Sequence, residues 1–576
     1  MSRRESTDGL ASAPLPSAAL APRRGFGGHL LAQAAGATND NLFRQAFVIA
    51  VTTSTAGIAM GAQAEAQATM WKTYLALIFI VPFLLLAPVA GRLADTWPKH
   101  RLIRLLRSCE PAICLVAGTA LFTGTGWLML VALALLGVQS ALFAPVKLAV
   151  VPELVAPAKV DDANGLLAST TYLAIMLGSG LAFVAEDSLW QDTWLAGLGG
   201  AGVLTLVSLI VSGLGIVGAW RLPRLQPGGD RGARASFGEQ FRSLSSAAGL
   251  WEAALALAAV WGVGLLAQLA LVGVAVFNFN FDQDGAALIA LVPMIGVAVG
   301  GLLAPRLSHR AYPGGLPIVG AICFGLGTIG AAAAAVEDDL GLTCAGLLLS
   351  GLGIAAWTVP LNIFLQTQAP LNTRGRVFAA AGILSILAIL VASGINFLGG
   401  FFSVPSAGLL ALAGGISLTG AIACLVPYRF HFTTWVATML TRFFYRVQVV
   451  GIEHLPREGG CLLVCNHISY ADGVGVFANL PRQARYLIYR RYVDMPIVGM
   501  PLRGAGAIAI DGGGSLRALR QSIDAAVAAA AGGDMVVIFP EGKITRSGQL
   551  DRFQSGCERI ARRAGVPIVP AHLHGL

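Results

Sequence analysis

The sequence predicts a multi-pass α-helical membrane protein, with twelve spanning helices in two sets of six, followed by a smaller α/β domain. The 576-residue chain is 56% hydrophobic and only 12% charged, whereas soluble domains are about a quarter charged. Apolar stretches long enough to span a bilayer, about 20 residues each, fill residues 27–428. Residues 449–576 instead alternate between strand-like and helix-like patterns.

The twelve stretches separate into two groups around a polar, arginine-bearing linker at 221–245. The first group is predicted at 28–54, 70–93, 103–123, 127–150, 163–185 and 195–219. The second group is predicted at 249–279, 285–306, 314–335, 340–366, 376–402 and 405–427. Residues 1–26 are rich in Ala, Ser and Pro and lack a cleavable signal, so we predict a disordered cytoplasmic tail.

Charge is distributed unequally between the two sides of the predicted bundle. Loops after odd-numbered spans carry acids such as Glu337 and Asp338, and the opposite loops carry Lys99, Arg101 and Arg104. Basic loops face the cytoplasm, so we expect both termini to be cytoplasmic. The net charge of +9 is scattered over these loops, which argues against nucleic-acid binding. The eight cysteines lack metal-ligand spacing, so no metal site is predicted.

Polar groups at lipid depth are candidates for a transport pathway. Asp40 lies midway along the first predicted span, between Asn39 and Asn41. An Asp at the bilayer centre costs about 2.5 to 3.5 kcal/mol on insertion scales, a cost that usually marks a functional residue. The alternative is an interhelical hydrogen bond. Lys147 and Glu153, near the end of span four, either pair with each other or line the vestibule.

A loop motif follows the second predicted span. Residues 91–101 read Gly-Arg-Leu-Ala-Asp-Thr-Trp-Pro-Lys-His-Arg, with Gly91, Asp95, Lys99 and Arg101 as its marked positions. This motif, together with six plus six spans, resembles the major facilitator superfamily, in which it gates the two halves. The equivalent place in the second half has lost the acid.

The stretch 465–472, Cys-Asn-His-Ile-Ser-Tyr-Ala-Asp, carries the clearest sign of chemistry. A short apolar strand leads into a polar turn in which His467 precedes Asp472. An ordinary helix would not place positions five apart on one face, so pairing these side chains requires a turn. A carboxylate that accepts one imidazole N–H leaves the other nitrogen free to take a proton from a hydroxyl.

Three further blocks follow in order: 506–511, 535–548 with the run Phe-Pro-Glu-Gly, and 566–570. Together the four blocks resemble the glycerolipid acyltransferase family. The resemblance implies that His467 is the general base and Asp472 its orienter. It also implies an acceptor pocket and a phosphate site, formed by Glu541, Gly542, Lys543 and Arg546.

Two departures from the family pattern concern the phosphate site and the acceptor. Many family members carry an Arg just after the middle block, where this chain has Gly512, Gly513 and Gly514. Lys-Ile-Thr at 543–545 replaces the commoner Thr-Arg-Ser. This version is more similar to the 2-acylglycerophosphoethanolamine acyltransferases than to the phosphatidic-acid-forming branch.

Residues 429–448 connect the two parts and interleave aromatic residues with arginine. Such a helix either lies in the membrane interface or packs on the soluble domain. The chain stops directly after the closing block, whereas family members continue. We therefore expect the acyltransferase domain, 449–576, to be C-terminally incomplete and its activity to be uncertain.

A facilitator-type carrier fused to this enzyme resembles the bacterial lysophospholipid transporters joined to their acyltransferases. The resemblance implies a bacterial inner-membrane protein that transports lysophospholipid, expected to be lysophosphatidylethanolamine, and reacylates it on the cytoplasmic side. The expected acyl donor is acyl carrier protein thioester or acyl-CoA, with no bound cofactor. Two alternatives stay open: a general efflux carrier with a vestigial acyltransferase segment, and a 1-acylglycerol-3-phosphate acyltransferase fused to a carrier.

Overall fold

A computed structural model gives the fold and its side-chain contacts. It describes residues 25–58, 62–182, 198–229, 236–308, 314–456, 458–480, 482, 484–504, 506–511, 516–545 and 550–574.

The membrane part consists of two helical halves joined by a short helix. The first half contains α1 (Phe26–Ile58), α2 (Ala62–Leu85), α3 (Ala87–Thr96), α4 (Lys99–Thr123), α5 (Gly126–Ala149), α6 (Val151–Leu154), α7 (Val160–Leu181) and α8 (Gly199–Trp220). The helix α9 (Phe237–Ser243) lies in the linker. The second half contains α10 (Leu250–Phe277), α11 (Gln283–Leu307), α12 (Gly315–Val336), α13 (Leu340–Gln368), α14 (Arg374–Phe401) and α15 (Ser406–Leu425).

Nine of the helices in the described part of the chain are long and apolar enough to cross a membrane, or ten when the bent pair α2 and α3 is counted as one span. Helices α1 and α7 have 33 and 22 residues. They have the length to cross but are more polar, with Asp40 in α1 and Asp162 in α7. These segments follow the order of the twelve predicted spans.

The second span is bent where α2 meets α3, by 55°. Leu86 separates the two helices, and Pro88 lies in the first turn of α3. Proline has no N–H to donate and favours the start of a new helix. The bend directs α3 toward the second half of the bundle, where it packs against α14.

The described part of the linker makes specific contacts with the bundle. The Ser236 side chain caps α9 by accepting the N–H of Glu239 at 3.2 Å. Gln240 is fully buried and donates to the Pro88 carbonyl at 3.2 Å. Glu239 lies 3.7 Å from the Arg376 guanidinium of α14. Helix α9 therefore touches both halves where they meet.

The C-terminal domain is a five-stranded, wholly parallel sheet with helices on both faces. Its elements are β1 (Cys461–Cys465), α17 (Asp472–Asn479), β2 (Ala484–Tyr489), α18 (Arg490–Val493), α19 (Pro496–Gly504), β3 (Ile508–Ile510), α20 (Leu516–Ala531), β4 (Met535–Ile538), α21 (Gly556–Ala564) and β5 (Ile568–Ala571). The strand order is β3-β2-β4-β1-β5, with Cys461 in register with Met535.

Alternation along β1 builds a separate core on each face of the sheet. Cys461, Leu463 and Cys465 pack with Val476 of α17, whereas Leu462 packs with residues of α20 and α21. Parallel strands buried on both faces are expected to be continuously apolar, as β1 and β4 are. All five strands end at one edge of the sheet, the usual place for a ligand site in an open α/β fold.

A single helix, α16 (Arg429–Phe444), connects the membrane bundle to this domain. Its Trp435 donates to the Leu307 carbonyl at the end of α11 at 2.7 Å. From the other face, Thr438 donates to the Ala478 carbonyl of α17 at 3.2 Å. Of the two interpretations of residues 429–448, the structure therefore shows the helix packed on the α/β domain. The helix fixes the acyltransferase-like domain to the ends of α11 and α12.

Candidate functional site

The turn after β1 brings His467 and Asp472 together. Nδ1 of His467 lies 2.9 Å from Oδ2 of Asp472. Because a carboxylate can only accept, Nδ1 carries the proton and Nε2 keeps its lone pair. The imidazole stacks on the Phe539 ring at a centroid distance of 4.3 Å, and its side chain is 21% exposed. The ring is held in one orientation and is still reachable by a substrate.

Asp472 is placed by the backbone of the same turn. Its Oδ2 also accepts the N–H groups of Ile468 at 2.6 Å and Ser469 at 2.8 Å. The side chain is fully buried, and its Oδ1 has no hydrogen-bond partner among the described residues. Helix α17 begins at Asp472 itself, so the turn is non-helical where the pairing needs it to be. The carboxylate is thus positioned before any substrate binds.

Cys465 lies two residues before the histidine but is not a nucleophile. Burial, and secondarily the Asp472 carboxylate, raise the pKa of the Cys465 thiol to about 12. The thiolate is the reactive form of cysteine, and at neutral pH this thiol stays protonated. The arrangement consequently favours direct attack by an activated hydroxyl over a covalent cysteine intermediate.

Glu541 lies beneath the catalytic turn. Its side chain is 2% exposed, and its Oε1 accepts the N–H of His467 at 3.1 Å. Its Oε2 accepts the Thr545 hydroxyl and the N–H of Asp551 at 3.2 Å. In this structure the carboxylate joins the turns after β1 and β4, so it shapes the site from below. Gly542 follows at φ +68°, a left-handed conformation that favours glycine.

The two cations of this loop differ in what the structure shows. Lys543 forms an ion pair with Asp551 at 2.8 Å, with the lysine side chain 70% exposed. The pair raises the pKa of Lys543 and lowers that of Asp551. Arg546 lies outside the described residues, as do Gly512, Gly513 and Gly514. The phosphate-binding roles of Lys543 and Arg546 stay predictions.

Two arginines that the sequence reading did not select lie at the same edge of the sheet. Arg490 and Arg491 follow β2 directly and are exposed. Nε of Arg490 lies 3.8 Å from Oδ2 of Asp511, which follows β3. They could have been predicted from the sequence, because a basic pair stands at the carboxyl end of the apolar strand 484–489.

A buried polar network crosses the first half of the bundle. Arg107 and Glu110 of α4 form an ion pair at 2.5 Å, with side-chain exposures of 4% and 1%. Asn39 donates to Glu110 at 2.9 Å and to Ser212 at 3.0 Å, and it is fully buried. Asn39 is therefore an interhelical contact in this structure, the alternative weighed above. Glu110 was missed, although it lies inside the predicted span 103–123 and meets the same criterion as Asp40.

The absence of a side chain at Gly36 of α1 leaves space for the Arg107 guanidinium. A Cβ atom at Gly36 would lie 1.8 Å from Nη1 of Arg107, so any other residue there would displace the guanidinium. The Arg107 guanidinium also lies over the Phe143 ring, 4.2 Å from its centroid. The cation is therefore enclosed by α1, α4 and α5.

The remaining predicted transport residues lie near this network. Asp40 accepts the hydroxyl of Ser140 in α5. Asn41 accepts from the Arg44 guanidinium at 2.5 Å and donates to its own helix. Lys147 is half-buried in α5 and forms no ion pair with any other described residue.

The predicted gating motif joins the two halves of the bundle. Asp95 is fully buried; its Oδ1 accepts the N–H of Gly375 at 2.5 Å, and its Oδ2 accepts Nε of Arg376 at 3.2 Å. Gly91 lies in the same contact, where a Cβ would be 2.8 Å from the Ala379 Cβ. The bundle is therefore closed on the side that carries the C-terminal domain.

Lys99 and Arg101, the other two marked residues of the motif, lie outside the contact that Asp95 makes with α14. Lys99 pairs with Glu153 at 2.7 Å, and the lysine side chain is 1% exposed. Glu153 lies past the end of α5 and faces the start of α4, so the ion pair that the structure gives it is with Lys99; the vestibule role weighed for Lys147 and Glu153 stays a prediction. Arg101 is exposed and lines a surface cavity.

Changing Asp95 to Asn is expected to weaken the closed state. The carboxamide loses the charge that attracts Arg376, and a hydrogen bond to a charged group is worth about 1.5 to 3 kcal/mol. Spin labels attached at the exposed Lys159 and Leu371, one in each half, would then show a larger fraction of long label-to-label distances in double electron–electron resonance. The same change at Asp338, on the other face of the bundle, is the control, and equal distance distributions in both variants would contradict the gating role.

Among the residues that the structure describes, no group of three His, Cys, Asp or Glu side chains is arranged to hold a metal ion.

Comparison with known proteins assigns both parts. The family model of the Major Facilitator Superfamily matches residues 42–393, more than half of the chain. The chain belongs to the major facilitator superfamily. Residues 446–574 match the Acyltransferase family model, which confirms the acyltransferase predicted from the four blocks. The predicted class, a facilitator bundle followed by an α/β acyltransferase domain, is thus confirmed.

Individual relatives of this superfamily member match one part each. The lysophospholipid transporter LplT of Photorhabdus laumondii is 25% identical over 312 residues, covering 51% of this chain and 70% of the relative. The chloroplastic 1-acyl-sn-glycerol-3-phosphate acyltransferase BAT2 of Brassica napus is 27% identical over 136 residues, covering 23% of this chain and 38% of the relative.

A solved structure shows the same membrane fold. The E. coli fucose:proton symporter FucP superposes with a TM-score of 0.51 at 13% identity, covering 68% of this chain and 97% of the symporter. At this identity the likeness extends to the facilitator fold and not to the cargo.

Proposed function

We propose that this protein carries lysophospholipid across the bacterial inner membrane and reacylates it on the cytoplasmic side. The observation that carries the proposal is the placement of the His467–Asp472 pair. The pair belongs to a domain that α16 holds against the ends of α11 and α12. A carrier and an enzyme fixed together in this way suit a shared lipid substrate. The similarity of the bundle to proteins named lysophospholipid transporters supports that choice of cargo.

In the proposed reaction, Nε2 of His467 takes the proton of the free glycerol hydroxyl while the hydroxyl oxygen attacks the thioester carbonyl. The tetrahedral intermediate collapses, the C–S bond breaks, and the thiolate leaves with the proton that the imidazolium returns. The Asp472 carboxylate, 2.9 Å from Nδ1, stabilises the imidazolium between these two transfers. The acyl group ends as an ester on the lysolipid.

The headgroup phosphate of the acceptor needs cations at the same edge of the sheet. We assign this role to Arg490 and Arg491, together with Arg546 and Lys543 of the loop after β4. Guanidinium groups suit a phosphodiester because they offer a fixed fork of donors. The exposed arginines after β2 would compensate for the missing Arg of the middle block.

Replacing Arg490 or Arg491 by Gln is expected to raise KM for lysophosphatidylethanolamine about tenfold or more. One charge-assisted hydrogen bond is worth about 1.5 to 3 kcal/mol, and its loss affects binding more than the turnover number. Steady-state acyl transfer in mixed micelles measures both parameters. Arg520→Gln on the exposed face of α20 is the matched control, and the same KM in all three variants would remove the arginines from the site.

In the bundle, the proposed pathway runs beside Asp40 and Lys147, with the Lys147 ammonium as a group for the lipid phosphate. The positive-inside rule supports a cytoplasmic position for both termini in this proposal. The acyltransferase domain then lies at the leaflet where acyl thioesters are made.

The decisive test uses purified protein in proteoliposomes, supplied with labelled lysophosphatidylethanolamine and either acyl carrier protein thioester or acyl-CoA. Formation of diacyl lipid that is lost in His467→Ala establishes the enzyme and names the donor. Passage of labelled lysolipid without any conversion would leave a carrier alone and overturn the coupled function.

A second candidate acceptor is 1-acylglycerol-3-phosphate, favoured by the similarity to the Brassica napus enzyme. Competition between this lipid and lysophosphatidylethanolamine in the same assay decides between them. The better acceptor is the one whose presence suppresses acylation of the other.

A further inference from the structure

A cavity of about 550 Å³ opens at the foot of α4 and α8, beside the start of the linker. Its lining includes Arg101, Arg104 and Arg224, and no carboxylate occurs among the described lining residues. The cavity lies on the side of the bundle that carries the acyltransferase domain. It belongs neither to the gate at Asp95 nor to the catalytic turn.

Arg104 forms a fixed wall of this cavity. Its Nε donates to the Ala219 carbonyl at 3.3 Å, and its Nη2 donates to the carbonyls of Trp220 at 3.2 Å and Leu222 at 2.7 Å. Its guanidinium also lies over the Trp220 ring, 5.0 Å from the centroid. These contacts are all to neutral groups, so the positive charge of Arg104 is not compensated by them.

Two further arginines add charge at the same place. Arg101 is one turn earlier on the same face of α4, and Arg224 approaches from the linker; both are exposed, and neither has an ion pair among the described residues. The linker is held there because the N–H of Leu225 donates to Nδ1 of the buried His100 at 3.0 Å. Three guanidinium groups around one cavity repel each other unless an anion lies between them.

The position indicates which anion. Trp220 is 61% exposed at the end of a membrane-spanning helix, and tryptophan in that position marks the level of the lipid headgroups. Basic pockets between spanning helices at this level bind phospholipid headgroups. The amino end of α4, a 25-residue helix, also faces this region and favours negative charge.

We propose that this cavity binds the phosphate group of an anionic phospholipid, with phosphatidylglycerol as its simplest form, from the adjacent leaflet. The site is separate from lysolipid transport and acyl transfer, and it stands even if the proposed function fails. Arg104 forms its rigid part, whereas Arg101 and Arg224 close on the phosphate from two sides.

Native mass spectrometry of the full chain, released from detergent, tests the proposal. With equal amounts of phosphatidylglycerol and phosphatidylcholine, we expect one phosphatidylglycerol retained at least tenfold more than phosphatidylcholine. Arg101→Gln/Arg224→Gln should lower that retention at least fivefold. Arg221→Gln, an identical change at an exposed arginine three residues from Arg224, should leave it unchanged.

Equal retention in the wild type and the Arg101→Gln/Arg224→Gln variant, or equal loss in Arg221→Gln, would overturn the proposal. Arg101→Lys/Arg224→Lys keeps the charge and removes the fork of donors, so intermediate retention is expected even if the Gln pair fails to fold. A separate arm uses inorganic phosphate without lipid. Binding of phosphate that depends on both arginines, with unchanged phosphatidylglycerol retention, would assign the cavity to free phosphate and overturn the lipid as its ligand.

Discussion

Changing His467 to Ala is expected to lower acyl transfer by about 10²- to 10⁴-fold, the usual contribution of a general base, while lysolipid transport continues. The imidazole is the group that the structure offers for removing the hydroxyl proton, through Nε2. Transport should be retained because His467 lies in a domain that contacts the bundle through α16. Paired assays on one proteoliposome preparation, one for lysolipid passage and one for diacyl product, measure both activities.

Two neighbouring variants make this prediction specific. Asp472→Asn keeps the shape but removes the charge that stabilises the imidazolium, so a loss of a similar kind is expected with the fold preserved. Cys465→Ala should retain most activity, because the pKa of that thiol, about 12, keeps it unreactive. Loss of activity in Cys465→Ala at full expression, or retention in His467→Ala, would contradict the mechanism.

The catalytic turn was predictable because its chemistry is local. His467 and Asp472 are five residues apart, so a single turn decides whether they meet. The role of Glu541 was less accessible, because its contact with the His467 backbone joins residues 74 positions apart. The Phe-Pro-Glu-Gly motif indicates that Glu541 belongs to a site. Which groups its side chain contacts there depends on the order of the strands in the sheet. The same applies to Arg490, whose strand is two places from β1 in the sheet.

In the membrane, hydropathy located the spans but not their partners. The bend at Leu86 follows from proline chemistry and was readable in principle. The Lys99–Glu153 pair was not, because both residues lie at helix ends that meet only after α3, α4 and α6 have packed. Helix α9 was read as a polar linker because its fixing contact, the buried Gln240 amide on the Pro88 carbonyl, is made across 152 positions.

The Arg107–Glu110 pair should contribute the largest single-residue effects on the stability of the bundle. Removing one partner of a buried ion pair typically costs about 3 to 5 kcal/mol, because the other charge is left uncompensated. Glu110→Leu is expected to be the more damaging change. It leaves the buried Arg107 cation over the Phe143 ring without its ion-pair partner, whereas Arg107→Met leaves Glu110 with the donors of Asn39 and Gln139.

The double variant Arg107→Met/Glu110→Leu separates charge compensation from simple packing. With both charges removed no uncompensated ion remains, so its destabilisation should be smaller than the sum of the two single effects, with a coupling of at least about 1 kcal/mol. Titration of each purified protein with a denaturing detergent gives the free energies of unfolding of the two single variants and the double variant, each compared with the wild type. Additive losses would mean that the two side chains stabilise the bundle independently. The two side chains would then stabilise the bundle only by filling the space beside Gly36, where a methyl group would collide with the guanidinium. We expect coupling instead, because apolar side chains of similar volume would fill that space at least as stably as two ions.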